Sequence, residues 1–377
     1  LFMGRCIEWV RPGGYVGIVM AAGQMDNNKA LRMRKYILEK CKIIAMINAH
    51  EDSFEPFCGA KAGIFILQKY REGENRKEDY DIFMSINRKI GQNGRGEPQF
   101  ARDSQGKYLR VKGRYVIDED VGKIIDNWRL FKSGQPLNYD SCYVVKRSEL
   151  DEHTLSPNPL KFDPKLMETV RLVRKKNESG YSVKRLKDLV SKEIFNGPRF
   201  KRPYADDGVT YGEDIIRYYT GTALSQTKGD NIKYLDLKKA DKTQRKQIDT
   251  LLVEKDWILI SDSGTIGNIV YTMPHHAGAA ATNNLIRVVI NDPILRGYVY
   301  SILTSKYGQH QLLRLCYGTN QHHVEPADVG EILIPIPDDD TKLKAVGEKT
   351  IRAMEARAET LALEKESFAK LDELMNS

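Results

Sequence analysis

The sequence is poor in the residues that would cross-link a small fold or hold a metal ion. Its five cysteines are scattered and never spaced as C-x-x-C, which disfavours both a disulfide framework and a zinc site. No apolar run reaches the length of a membrane span. The first residues lack an initiator Met and the basic-then-apolar layout of a signal peptide. We therefore expect a reducing cytoplasm, and a chain that is part of a longer protein.

The chain is basic, and its excess of positive charge lies in one half. The 377 residues carry a formal net charge of +8, and because residues 181–377 are balanced in charge, the excess belongs to residues 1–180. Lys and Arg displace condensed counterions from phosphates, so this excess favours a polyanion partner. The length is sufficient for two or three domains.

Residues 1–105 show helices that alternate with short apolar strands. A helix and a Pro-Gly-Gly turn precede an apolar strand at residues 15–20. Helical spacing at residues 28–40 then precedes strands at residues 43–47 and 62–69. This alternation predicts an α/β segment in which a parallel or mixed sheet is covered on both faces.

The middle of the chain divides into a connector and a segment rich in strands. Residues 106–180 hold short elements with Gly, Pro and charge clusters, and we interpret them as a connector with a helix near residues 118–131. Residues 181–340 contain many short strands and turns, most clearly at residues 257–261 and 285–289. We predict a separate, mostly β domain of α+β class there.

Residues 341–377 predict one long amphipathic helix. Met354, Leu361, Phe368 and Met375 repeat every seven residues, so they share one face of a helix. At about 1.5 Å per residue it would be roughly 50 Å long, which exceeds what a small domain needs for its own packing. We expect its apolar face to contact another helix, as in a coiled coil. A terminal helix that folds back on its own domain is the alternative.

Three motifs follow one another in the first hundred residues: L-F-x-x-R-C at residues 1–6, S-F-E-P-F-x-G-x-K at residues 53–61 and D-I-F-M at residues 81–84. In this order they resemble the motifs of the N6-adenine DNA methyltransferase subunits of type I restriction-modification systems. The resemblance implies that a target adenine leaves the duplex, stacks on Phe54 or Phe57, and accepts a methyl group from S-adenosylmethionine. The alternative is that both phenylalanines pack beneath the sheet.

Two motifs of that family do not occur in the sequence. These are the N/D-P-P-Y/F loop that holds the adenine amino group and the glycine-rich loop that holds the cofactor. The resemblance implies that both loops lie upstream of residue 1. We therefore expect this chain to bind no cofactor and to be inactive alone, whereas the parent protein would be a methyltransferase that uses S-adenosylmethionine.

Residues 181–341 resemble the target-recognition domain of type I restriction specificity subunits. Residues 183–190 resemble its leading helix, residues 256–267 (D-W-I-L-I-S-D-S-G-T-I-G) its core motif, and residues 332–337 (I-L-I-P-I-P) the strand before its long helix. The fusion of the two segments resembles type IIG enzymes. It implies recognition of double-stranded DNA, with methylase and restriction subunits or domains as partners and a homodimer through the helix.

Polar loops of this second segment supply candidate DNA contacts. Asn and Gln side chains can pair with adenine, and Arg and Lys side chains with guanine. Phosphate contact is the alternative for each, because most protein–DNA hydrogen bonds go to the backbone. The candidates are Arg199, Lys201, Arg202, Tyr204, Lys228, Thr265, Asn283, Asn284, Thr319, Asn320, Gln321, His322 and His323.

Two clusters suggest other chemistry that the spacing does not support. Residues 337–342 contain the letters of a P-D…D-x-K nuclease site, but the carboxylates lie in one run, and a helix N-cap at Asp340 or Thr341 explains them better. The pairs His275-His276 and His322-His323 have no Cys or acidic partner at ligand spacing. We expect polar loop histidines and no metal.

Three hypotheses follow for the function. The first is a specificity module that directs an adenine methyltransferase to its DNA sequence. The second is a fragment of a complete methyltransferase or methyltransferase-nuclease, and the third is a two-domain scaffold that binds no DNA. Cofactor binding separates the first two, and salt-dependent DNA binding separates both from the third.

Overall fold

A computed structural model describes residues 1–76, 78–150, 154–225, 232–263, 266–316 and 323–376. The chain forms two compact units. The first unit comprises Leu1–Glu168 with Cys316, and the second comprises residues 169–315 and 323–376. None of the described helices combines the length and the apolar character that crossing a bilayer requires.

The first unit is built on a five-stranded mixed sheet, in the order β1-β3-β2-β4-β7. Strands β2 and β4 are parallel, and the other neighbours are antiparallel. Its elements are α1 (Phe2–Trp9), β1 (Tyr15–Ala21), α2 (Gly23–Asp26), α3 (Leu31–Lys40), β2 (Cys41–Asn48), β3 (Ala62–Lys69), β4 (Asp81–Ile86), β5 (Arg110–Val111), β6 (Arg114–Tyr115), α4 (Val121–Lys132) and β7 (Cys142–Lys146).

Strand β4 shows why the sheet segments are so apolar. Ile82 and Met84 belong to the cluster on one face, while Phe83 packs on the other face against Trp128 of α4, with ring centroids 5.5 Å apart. Both faces are therefore covered, as the sequence predicts. Helix α4 coincides with the helix expected near residues 118–131, and helix α5 (Pro164–Lys175) continues across the boundary between the units.

The second unit contains a four-stranded antiparallel sheet, a three-stranded sheet and a two-stranded ribbon. The strand orders are β13-β12-β15-β9, β11-β10-β14 and β16-β8. Its elements are β8 (Tyr181–Arg185), β9 (Phe195–Asn196), β10 (Ile215–Tyr219), α6 (Gly221–Ser225), β11 (Lys233–Asp236), α7 (Lys242–Asp249), β12 (Ile258–Ser261), β13 (Ile269–Tyr271), β14 (Ala280–Ala281), β15 (Leu285–Val288), α8 (Pro293–Thr304), α9 (Lys306–Leu315), α10 (Pro326–Gly330), β16 (Leu333–Pro337) and α11 (Asp340–Asn376).

The prediction of a leading helix at residues 183–190 is wrong. Strand β8 ends at Arg185, and a short 3-10 turn follows at Leu186–Asp188. The strand forms because β8 pairs antiparallel with β16, with Val183 opposite Pro335. The partner strand lies about 150 residues away, so the resemblance of residues 183–190 to a helix does not decide their structure.

Two other local expectations also need correction. Helix α11 begins at Asp340, and the capping carboxylate is that of Asp339, which accepts the Thr341 amide at 2.9 Å, so neither Asp340 nor Thr341 is the N-cap. His276 is buried, with its ring edge to face with that of Tyr219, and is not a polar loop residue. Its Nδ1 accepts the Met273 amide at 3.0 Å. Burial lowers the pKa of His276 to about 3, with His275, Arg217 and Lys365 adding to the effect.

Helix α11 packs on α8 over its first half. The helices approach closely at Gly297 and Gly347, where a Cβ atom on Gly297 would lie 2.5 Å from the Gly347 carbonyl oxygen. Beyond this point the Thr350 hydroxyl is hydrogen-bonded to that of Ser301 at 2.6 Å, and Met354 is buried in the main core of the unit. Toward its end the helix leaves large apolar side chains exposed, among them Phe368 and Leu374.

Candidate nucleic-acid interface

The turn between β14 and β15 brings three of the predicted DNA-contacting residues together. The guanidinium of Arg202 donates to Oδ1 of Asn283 at 2.7 Å. The amide of Asn283 in turn donates to Oδ1 of Asn284 at 2.5 Å. Both polar groups of the Asn283 side chain are therefore engaged within the chain, and Asn283 orients its two neighbours.

A buried arginine in the middle of β15 fixes this turn. The side chain of Arg287 is fully buried, and its guanidinium donates to the carbonyl oxygens of Leu285 at 2.6 Å and Ala281 at 3.0 Å. These carbonyls flank Asn283 and Asn284, so Arg287 is a positioning residue for them. Burial lowers the pKa of Arg287 to about 10, so the guanidinium still carries its charge at neutral pH.

Sequence reasoning missed Arg287, although a signal was present. A charged residue stands alone in the apolar run L-I-R-V-V at residues 285–289. Arginine can be buried when its five donors find acceptors, and the carbonyls at the strand end supply them.

The chain segment before β10 places aromatic and basic side chains next to the turn. The Arg202 guanidinium lies 4.1 Å from the ring centroid of Phe200 and also donates to the Phe200 carbonyl. Tyr204 is exposed and contacts Tyr218 edge to face, with Lys233 at 5.3 Å from its ring. The predicted contacts Arg199 and Lys201 are exposed on the same segment.

Residues 262 and 323 connect the turn to a second loop. The amide of Asp262 donates to the Asn284 carbonyl at 2.9 Å, and the amide of Val324 donates to the Asp262 carbonyl at 3.0 Å. His323 forms a backbone bridge with Ser263. His323 therefore lies on a segment that joins the asparagine turn through Asp262. The remaining candidates, Lys228, Thr265, Thr319, Asn320, Gln321 and His322, lie outside the described residues.

In the first unit, Phe54 and Phe57 lie on a loop that follows β2, the strand that is parallel to β4. We call this loop the aromatic loop. Phe57 is 95% exposed and Phe54 42% exposed, so neither packs beneath the sheet as the alternative required. The loop is fastened by Gln92, whose side-chain amide donates to the carbonyls of Glu55 at 3.0 Å and Asp52 at 3.3 Å.

A buried polar network lies at the end of the neighbouring parallel strand β4. Asp120 accepts hydrogen bonds from Asn87, from the Arg88 amide at 3.0 Å and from the Tyr139 hydroxyl at 2.8 Å. Because β2 and β4 are parallel, their carboxyl ends meet at one edge of the sheet. This edge therefore carries the aromatic loop on a rigid base, and Asp120 has its acceptors occupied within the chain.

Comparison with known proteins agrees with the division seen in the sequence. Residues 178–372 match the sequence family described as type I restriction modification DNA specificity domain, and residues 1–154 match the family described as N-6 DNA methylase. Both resemblances identified from sequence motifs are thereby confirmed. No curated protein sequence matches the chain.

Three solved structures are among those to which the chain is similar. The type IIG restriction endonuclease BpuSI is 11% identical with a TM-score of 0.37, and the match covers 93% of this chain and 43% of that protein. The type I S subunit from M. genitalium is 17% identical over 51% of this chain and 43% of its own, with a TM-score of 0.34. The HsdS subunit from Thermoanaerobacter tengcongensis is 14% identical over 53% and 47%, with a TM-score of 0.32.

The chain spans less than half the length of each of these three proteins. The specificity-domain match extends from just before β8 into the last turns of α11, and the methylase match includes the whole five-stranded sheet. Since the first of these matches covers more than half of the residues, the chain belongs to the type I restriction modification DNA specificity domain family, here joined to a segment of the N-6 DNA methylase family.

Proposed function

We propose that the second unit reads a DNA sequence on behalf of an adenine methyltransferase of a restriction-modification system. The observation that carries this proposal is the Arg202–Asn283–Asn284 network, because it presents hydrogen-bonding groups on a turn that Arg287 fixes from inside. Preorganised donors and acceptors are what base edges in the major groove require. Residues 181–340 would form the recognition domain, residues 341–377 a spacer helix, and residues 106–180 the connector from the methylase segment at residues 1–105.

The roles within the network differ. Asn283 uses its oxygen and its amide inside the chain, so we assign it to positioning. Arg202 and Asn284 are the proposed base-reading residues. The other candidates would contact phosphates or bases from the surrounding loops; they are Arg199, Lys201, Tyr204, Lys228, Thr265, Thr319, Asn320, Gln321, His322 and His323.

Selection of bound duplexes from a random pool tests this proposal with the full chain. The unmodified protein should return a short fixed motif, and Asn284→Ala should relax one position of it at a cost of about 1–3 kcal/mol. Asn291→Ala removes an exposed asparagine elsewhere in the unit and serves as the matched control, with the motif unchanged. Recovery of no motif, together with binding that only fades with salt, would reduce the unit to a nonspecific phosphate binder.

For the methylase segment, we propose that Phe57, or Phe54 beside it, stacks on the target adenine in the longer protein. The exposure of both rings supports this role. S-adenosylmethionine would supply the methyl group there, but the loops that hold the cofactor and the adenine amino group in this family do not occur in the sequence. We therefore assign no cofactor-binding residue in this chain.

Calorimetry separates a recognition module from a fragment with its own activity. Titration of the chain with S-adenosylmethionine should give no specific heat. One-to-one binding in the micromolar range would instead favour the second hypothesis, a fragment of a complete methyltransferase or methyltransferase-nuclease. The proposed partners are double-stranded DNA, methylase and restriction subunits or domains, and a second copy bound through α11.

The five free cysteines support a reducing compartment, the cytoplasm.

A further inference from the structure

Residues 99–117 of the first unit, which the sequence presents as a connector, form a projecting arm. Its strands are joined by backbone hydrogen bonds such as Ala101 to Val116 at 2.8 Å and Leu109 to Ala101 at 2.9 Å. The pair β5–β6 closes one tip through Lys112 and Gly113, both with positive φ, which is the geometry of a two-residue hairpin turn. We call residues 99–117 the basic arm.

The basic arm carries a concentrated positive charge. Its nineteen residues include five basic side chains and one acidic side chain, Asp103; the basic ones are Arg102, Lys107, Arg110, Lys112 and Arg114. All five basic residues are exposed. A connector without a charged partner does not require this density of positive charge, whereas a phosphate backbone would attract it.

Three aromatic rings on one face of the arm hold two of the arginines in place. Phe100, Tyr108 and Tyr115 form a cluster with centroids 5.2–6.2 Å apart. The Arg102 guanidinium lies 3.8 Å from the Tyr108 ring centroid, and that of Arg110 lies 4.3 Å from the Tyr115 ring centroid. Each arginine also donates to the hydroxyl of its tyrosine. Stacked guanidinium groups lose less side-chain freedom when they bind phosphate, which suits recognition of a backbone.

The base of the arm adjoins the aromatic loop. Gln92 holds that loop through Glu55, and the Gly96 backbone approaches Pro56 so closely that a Cβ atom there would lie 3.0 Å from Pro56 Cδ. The strand that leaves the arm runs into the buried Asp120. A duplex whose base stacks on Phe57 would therefore pass near the arm.

We propose that the basic arm binds the phosphate backbone of the duplex beside the target base, with Arg102 and Arg110 as the principal contacts. This inference rests on the proposed function, because it assumes that DNA reaches the aromatic loop. The arm would supply affinity that does not depend on sequence. The second unit would keep the choice of sequence.

The test measures binding of the full chain to a random-sequence duplex over a range of salt concentrations. The double variant Arg102→Gln/Arg110→Gln should bind at least about tenfold more weakly at low salt, and the slope of log K against log salt should fall by about two. Arg32→Gln/Lys35→Gln removes the same charge from the exposed side of α3 and should change affinity less than about twofold. Arg102→Lys/Arg110→Lys should retain the slope but lose part of the affinity.

Equal effects in the arm and control pairs would overturn the proposal, because they would reflect net charge alone. Unchanged DNA binding, with loss of binding to polyglutamate, would assign the arm to an acidic protein surface instead. Near-ultraviolet circular dichroism of the tyrosine cluster checks that each variant keeps the arm folded. The duplex selection, repeated on the arm variant, should return the same motif. Failure to find any motif with the unmodified chain would contradict the proposed function. The salt dependence of binding would still test whether the basic arm binds phosphates.

Discussion

The two halves of helix α11 share one heptad pattern but lie in different surroundings. Near its start, Gly347 touches α8 and Met354 is buried, with 7% of its surface exposed. Near its end, Phe368 is 59% exposed and Met375 78% exposed. Helix α11 therefore joins its own domain over one half and presents an apolar stripe over the other. The alternative expectation, a helix that folds back on its own domain, holds for the first half, whereas contact of the second half with another helix stays a prediction.

A seven-residue repeat of apolar side chains does not by itself identify a coiled coil. Packing of the first half includes a close approach that small residues permit, namely Gly297 and Gly347, beside the buried side chain of Met354. A repeat of apolar residues predicts that a stripe exists, whereas the partner of the stripe depends on the surface it meets. Changes in each half should therefore have unequal effects, and the following experiments measure them.

The largest effect on stability is expected at the glycine contact. Gly347→Ala places a Cβ atom against the Ile294 carbonyl oxygen, so we expect the free energy of unfolding to fall by about 3 kcal/mol. Chemical denaturation followed by circular dichroism measures this loss. Gly4→Ala in α1, where the new methyl group meets open space, should be neutral or stabilising by up to about 1 kcal/mol. An equal change in the free energy of unfolding at both glycines would mean that α11 does not pack closely against α8.

A pair of truncations compares the two halves directly. Met354→Ala should cost about 2 kcal/mol, because it removes a buried side chain and leaves a cavity. Phe368→Ala should change stability by less than about 0.5 kcal/mol at low protein concentration, because that ring is exposed. If Phe368→Ala were as costly as Met354→Ala in dilute protein, the second half would be packed within its own chain.

Acidification should also weaken the packing of the first half of α11. His276 lines, with Met354 and Leu361, a cavity of about 620 Å³ between α11 and the strands, and its folded-state pKa is lowered by burial to about 3. The unfolded chain binds this proton near pH 6.5 and the folded protein does not, so stability present above pH 6.5 falls as the pH drops toward 3. Between pH 6.5 and 4 we expect a loss of about 3 kcal/mol from this group.

His276→Asn isolates that contribution, since asparagine can still accept the Met273 amide but does not titrate. Urea denaturation at each pH should show a flatter dependence for His276→Asn than for the unmodified chain. Parallel curves would mean that other groups account for the acid sensitivity.

The smallest effect on the stability of one chain, and the clearest effect on assembly, is expected in the second half. Phe368→Lys/Leu371→Lys replaces two exposed side chains, so unfolding of a single chain should shift by less than about 0.5 kcal/mol. If two chains pair through this stripe, as we propose, the unmodified chain sediments as a dimer at tens of micromolar and the variant as a monomer. A monomeric unmodified chain would contradict the pairing.

Local patterns in the sequence predicted the elements that depend on contacts between residues near in sequence or that are surrounded by apolar residues. Strand β3 begins and ends at the residues expected, and α11 differs from expectation by one residue at its start. Strand β8 was not predicted, because its stability comes from pairing with β16 across about 150 residues. No periodicity within residues 183–190 carries that information.

The candidate site was predictable in residue type more than in arrangement. Asn283 and Asn284 stood out as polar residues beside an apolar strand, yet their link to Arg202 spans 81 positions of the sequence and could not be inferred from spacing. The exposure of Phe57 likewise depends on how Gln92 fastens the loop. Motif similarity identified the family, and three-dimensional contacts distinguished the residue that positions from those proposed to read DNA.

The burial of Trp257 has an optical consequence. Trp257 is 7% exposed, lies edge to face with Phe195 and is the only tryptophan of the second unit, whereas Trp9, in the first unit, is 82% exposed. Replacing Trp9 and Trp128 with Phe leaves a single tryptophan whose emission should be blue-shifted in the folded state and red-shifted on unfolding. Such a chain would report the melting of its DNA-reading unit by fluorescence alone, without a label.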